Sequence, residues 1–134
     1  MSDEETFEDD YELPEEPAGR VTAILDRILD ELDLDADVEI KESDEEILAE
    51  IDGEDDLGIL IGRRGQTLDA LQLLCYRAAF QGASDRKRVT VDAAGYRERR
   101  MVHEVLKDRS DVETYSEGDD PDRRVVVAPL VDGA

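Results

Sequence analysis

The stretch from Leu57 to Gln72 restricts this chain more than any other part of it. Leu57-Gly58-Ile59-Leu60-Ile61 leads into Gly62-Arg63-Arg64-Gly65, and Leu68, Leu71, Leu74, Cys75, Ala78 and Ala79 then recur at helical spacing. The two glycines permit backbone angles and close approaches that a side chain would block. Amides at the start of the following helix are left unpaired, and the helix dipole favours an anion there. Arg63 and Arg64 add two guanidinium forks suited to phosphate oxygens. A loop of this kind fits a sugar-phosphate backbone, although a Gly-x-x-Gly tetrapeptide alone is more often an ordinary surface turn.

Bulk charge argues the other way. The 134 residues carry 38 acidic and 16 basic side chains, a net of −22, and nucleic-acid backbones repel acid. Divided along the chain, the conflict disappears. Residues 1–56 hold 25 acids and three bases, residues 57–107 five acids and ten bases, and residues 108–134 eight acids and three bases. The acidity belongs to the first segment, and the Gly-Arg-Arg-Gly loop lies in a middle segment of net +5.

Length predicts one domain with or without a tail. Residues 1–19, with nine acids, two prolines and a glycine, read as a disordered acidic tail serving solubility, or as a screen or contact for a basic partner. Val21, Ile24, Leu25, Ile28, Leu29 and Leu32 make the stripe of an amphipathic helix. Val38–Lys41 and Ile47–Ile51, joined by Ser43-Asp44-Glu45, predict two antiparallel strands. After the two helices around the loop, the second ending near Gly82, Arg88–Asp92 predicts a strand, Tyr96–Leu106 a charged helix, and Val112–Tyr115 with Val125–Val127 a hairpin. The order helix-strand-strand-helix-helix-strand gives an α+β layer of helices on a small sheet.

A single cysteine, Cys75, lies in an apolar run and reads as a buried small hydrophobe. With one cysteine and one histidine, no multi-cysteine zinc site and no histidine-based metal cluster can be built, and no cofactor is expected. No catalytic set is recognisable, so no catalytic residue is assigned. No apolar stretch approaches the ~18 residues of a membrane span. The acidic N-terminus is unlike a secretory signal, and the expected location is cytoplasmic.

Residues 20–95 resemble a type II KH domain, with Leu57–Gln72 as its signature, in the form found in the bacterial Jag family, also called KhpB or SpoIIIJ-associated. Gly95-Tyr96-Arg97-Glu98-Arg99-Arg100, after the third strand, is similar to that family too. KH domains clamp about four nucleotides of single-stranded RNA or DNA with this loop. The resemblance implies that Gly62, Arg63, Arg64 and Gly65 hold the backbone while Ile59, Ile61 and Leu68 line the groove for bases. A second basic cluster, Arg86-Lys87-Arg88, is either a charge-guarded strand edge or an accessory phosphate contact.

Arg99 and His103, one helical turn apart, share a face. Alone they would read as an exposed surface pair. Jag-like proteins, however, carry an R-three-H domain named for its Arg-x-x-x-His motif, which Arg99–His103 resembles, and Asp111–Gly118 with Arg123–Val127 resemble the ending of that domain. In the family a connecting helix and the opening of the R-three-H domain separate the motifs. Here one stretch serves as the exit of the first and the Arg-x-x-x-His helix of the second, so residues 96–130 are expected to be a partial R-three-H-like helix and hairpin.

The function expected is non-catalytic binding of single-stranded RNA. The resemblance implies an RNA chaperone or post-transcriptional regulator linked to cell elongation and division, with a small KH-only (KhpA-like) protein as partner. The competing functions are an acidic protein-interaction adaptor whose KH-like fold no longer binds RNA and, less favoured, an enzyme accessory subunit.

Overall fold

The computed structural model describes residues 12–119 and 123–130; the expected acidic tail falls mostly on residues 1–11, outside them. Helix α1 spans Pro17–Glu31, so residues 17–19 of the expected tail are helical. Proline in the first turn sacrifices no hydrogen bond, because that amide has no intrahelical partner anyway. Val21, Leu25 and Leu29 are buried from this helix. It ends where Asp33 turns left-handed (φ 55°) and the amides of Asp33 and Leu34 donate to Asp30 and Leu29, at 3.1 and 3.0 Å.

Strand β1 (Ala36–Glu42) pairs antiparallel with β2 (Glu46–Gly53), aligning Val38 with Ile51 and Ile40 with Ala49. The Ser43 hydroxyl closes the turn by accepting from the amides of Glu45 and Glu46. β3 (Arg88–Ala93) then joins β2 in parallel, giving the order β1-β2-β3. A parallel neighbour needs a crossover, which the short helix α2 (Gly58–Ile61), a 3-10 turn (Arg63–Gly65) and α3 (Gln66–Ala79) supply.

Helices α1 and α3 cover one face of the sheet. Ile47, Ala49 and Ile51 point into the core and meet Leu25, Leu60, Leu68 and Cys75 there. Cys75 is fully buried, as its apolar run implies. Leu74 is half exposed despite its helical spacing, and so is Leu73, because the core takes only the Leu68–Cys75–Ala79 stripe of α3. Glu46 and Glu50 occupy the alternate positions of β2, and Asp37, Glu39, Lys41 and Glu42 are the exposed positions of β1. Part of the acidity of residues 1–56 is thereby placed on the sheet's uncovered face.

Helix α4 (Tyr96–Leu106) and the hairpin β4 (Val112–Glu117) with β5 (Arg124–Pro129) follow. Among the described residues, the buried apolar core draws on nothing beyond Ala93. Of the C-terminal part, Tyr96 packs partly buried against that core, and polar bonds supply the further anchors. Arg97 donates from Nε to the Val91 carbonyl (2.7 Å) and from Nη1 to Asp69 (2.9 Å), while Oδ1 of buried Asp92 accepts from the amides of Ala93 and Arg97, both at 2.9 Å. The hairpin hangs on α4 through His103, whose Nδ1 and Nε2 meet the hydroxyls of Thr114 (2.6 Å) and Ser116 (3.3 Å).

Candidate nucleic-acid interface

The loop owes its shape to three left-handed or glycine-type conformations. Gly62 has φ 72°, Arg64 φ 56° and Gly65 φ 78°. A methyl group on Gly62 would overlap the Thr67 hydroxyl and stand 2.9 Å from the Thr67 amide nitrogen, so the chain can turn over the start of α3 only without a side chain there. The first amides of α3 receive no side-chain cap, which leaves donors at the loop. Arg63 and Arg64 are exposed, and among the described residues neither side chain has a hydrogen-bond or ion-pair partner. Their charge is available to a ligand.

The expected groove residues separate in the structure. Ile59 is 59% exposed beside the loop and can meet a base. Leu68 is a core residue at 0% exposure, so it supports the loop from beneath, whereas Ile61, largely buried at 9%, still borders a cavity beside the loop together with Gly62 and Tyr96. The helical period of α3 requires this of Leu68, which shares its stripe with Cys75 and Ala79.

Arg86, Lys87 and Arg88 are not brought to this site. They stand at the far end of α3, about 20 Å of helix away from the loop. Lys87 is held by Glu42 (2.7 Å) and the Ser43 carbonyl (2.8 Å), as in a guarded sheet edge.

Arg99 and His103, by contrast, are brought to the loop. A cleft of about 340 Å³ is lined by Arg64 from the loop, Tyr96, Arg99, Arg100 and His103 from α4, and Ser116 and Arg123 from the hairpin. Among the described residues, no carboxylate lines it. Arg100 Nη1 donates to the Arg64 carbonyl at 3.2 Å, Arg99 Nη1 donates to the Ala94 carbonyl, and the Tyr96 ring rests on Gly65. A smaller cavity of about 200 Å³ at the loop is again bordered by Tyr96, Arg99 and Arg123, with Ile61, Gly62 and Asp56. Tyr96, Arg100 and Arg123 are members of this site that sequence reasoning missed. The spacing of Tyr96, Arg99, Arg100 and His103 (i, i+3, i+4, i+7) could have revealed the first two, whereas Arg123 arrives only through the hairpin.

Helix-strand-strand-helix-helix-strand with a glycine-bracketed loop between the second and third helices defines a type II KH module, here followed by an R-three-H-type helix and hairpin. Residues 19–92 match the family model described as KhpA/KhpB, KH domain, and the chain belongs to that family. Residues 69–129 match the R-three-H domain, so the two matches overlap across α3 and β3. The chain is 31% identical to the RNA-binding protein KhpB of Clostridium symbiosum, covering 78% of this chain and 62% of that protein. It is 32% identical to the RNA-binding protein KhpB of Bacillus subtilis (73% and 51%), and 27% identical to that of Streptococcus pneumoniae (84% and 44%). This chain thus spans between 44% and 62% of the length of these relatives. Among the described residues, no helix is long and apolar enough to cross a membrane.

Proposed function

We propose that this protein binds single-stranded RNA without catalysing a reaction on it, gripping the sugar-phosphate backbone at Gly62-Arg63-Arg64-Gly65. The observation that carries this is the exposed, unpartnered pair Arg63 and Arg64 on a loop whose glycines permit close backbone approach, at the uncapped start of α3. Exposed Ile59 offers an adjacent apolar surface for a base. Family membership and the relatives' printed name, RNA-binding protein, support the same function. A cytoplasmic RNA chaperone or post-transcriptional regulator, acting in cell elongation or division beside a KhpA-like partner, is the cellular role in keeping with it.

The test is the double variant Arg63→Asp with Arg64→Asp, assayed by gel shift against single-stranded RNA at fixed salt. Binding is expected to be abolished with the circular dichroism spectrum retained, since both side chains are exposed. Unchanged affinity would overturn the loop as the binding site. A protein adaptor is the second function, favoured by the outward-facing Leu73 and Leu74 on α3. Protein purified without nuclease and free of nucleic acid, judged by its absorbance ratio, would favour that adaptor.

A further inference from the structure

We propose that the cleft between the Gly62–Gly65 loop and α4 is a composite nucleotide site. It takes one further nucleotide of the strand held at the loop, so that the KH loop and the Arg-x-x-x-His helix form one continuous binding surface. This rests on the RNA-binding function proposed above and extends it to residues that neither motif supplies alone. Arg64 comes from the loop, Tyr96, Arg99, Arg100 and His103 from α4, and Arg123 from the position just before β5, yet all six border one space of about 340 Å³.

The chemistry of that space matches a nucleotide. Four guanidinium groups, with no carboxylate among the described residues of the lining, attract a phosphate, and arginine forks fit its oxygens in pairs. The Tyr96 and His103 side chains provide flat surfaces of the kind on which bases stack, with arginine planes beside them. A volume of this order is that of a small-molecule pocket, large enough for one nucleotide unit and too small for a folded partner.

The connection to the loop is physical. Tyr96 rests on Gly65, and Arg100 holds the Arg64 carbonyl at 3.2 Å, so the cleft begins where the loop ends. The polar anchors of Arg97 and Asp92 fix the first turn of α4 against β3. The cleft is therefore preorganised by the KH module, against whose core Tyr96 packs partly buried. A strand leaving the loop on this side meets positive charge on Arg99 and Arg123 at once.

The test compares oligouridylates of four and seven nucleotides on the full chain, with the affinity of the longer one first divided by about four for the registers in which the loop's four nucleotides can sit along it. Wild-type protein should bind the longer one at least about fivefold more tightly, the contribution expected of one stacked base beyond the loop's own four. Arg123→Gln, on the exposed hairpin, should bring the ratio of the two affinities close to one, and Arg123→Lys should restore part of it. A 5-iodouridine placed outside the four loop nucleotides should photocrosslink to Tyr96. If neither oligonucleotide binds, RNA binding itself fails, and this site with it. If the four-nucleotide RNA binds and Arg63→Asp with Arg64→Asp abolishes that binding, but wild type shows no gain with length or Arg123→Gln keeps the gain, the composite site alone is overturned.

Discussion

The ring of Tyr96 closes on Gly65: a methyl group on that glycine would stand 2.8 Å from Cε2 of the ring. The first residue of α4 is thereby seated on the last residue of the loop, and the C-terminal segment becomes part of the loop's surroundings. Gly65 also has φ 78°, a region that costs an L-residue about 1–2 kcal/mol. Gly65→Ala should lower stability by about 2–3 kcal/mol, the backbone cost plus the overpacking against Tyr96. In a Tyr96→Ala background, with Tyr96→Ala alone as the reference, the same substitution should cost the backbone part only. Equilibrium urea unfolding in the two backgrounds measures both; equal loss in each would remove Tyr96 from the account.

Asp92 is expected to be the main attachment of α4. Its buried Oδ1 accepts from two amides, and Asp92→Ala leaves both donors unsatisfied at a cost of about 2 kcal/mol or more. Asp92→Asn keeps an acceptor oxygen and should cost less. Thermal unfolding ranks the two, and the Arg97 amide should exchange with solvent faster in the alanine variant.

Stability should fall in alkali through Cys75. Burial pushes its thiol from an ordinary 9.0 up to about 11. The folded protein thus holds a proton that the unfolded chain has already lost. The stabilisation is fully present below pH 9 and disappears as pH rises towards about 11, a change of about 3 kcal/mol. Cys75→Ala should flatten that part of the stability–pH curve. In native wild type, a thiol reagent at pH 8 should label Cys75 only as fast as the protein unfolds.

The hairpin should be separable from the KH module. His103 meets Thr114 and Ser116, and no apolar side chain of β4 or β5 is buried among the described residues. His103→Ala should remove about 1–2 kcal/mol of local stability. Hydrogen exchange should then speed up in β4 and β5 while β1–β3 keep their protection; a uniform change throughout would show a single cooperative unit.

Salt should weaken RNA binding with a log–log slope of about −3, as four neutralised phosphates on a single strand require. Arg64→Gln, which removes one exposed cation of the loop, should make that slope shallower by about 0.7. Fluorescence anisotropy across a salt titration provides the measurement.

Much of the KH fold was legible along the chain because its signals are local. The Val21–Leu25–Leu29 stripe, the alternation from Ile47 to Ile51 and the glycines of the loop each specify their own element within a few residues. Acidity and proline make residues 1–19 look like tail throughout, whereas proline is well placed in a first helical turn, and α1 begins at Pro17. The resemblance puts Leu68 in the groove, yet the helical period of α3 sends it into the core. Arg86-Lys87-Arg88 and the loop are both basic, and only the length of α3 keeps them apart.

The sequence by itself determined the loop, its two exposed arginines and the segregation of charge, since these depend on residue type and immediate neighbours. Tertiary structure alone decided that Arg64, Tyr96, Arg99, His103 and Arg123 face one cleft. Those residues are scattered from the loop to the position just before the second strand of the hairpin, and their meeting depends on how α4 leaves β3. That exit is set by Asp92, Arg97 and the Tyr96–Gly65 contact, polar and steric constraints that leave no periodic trace in the chain.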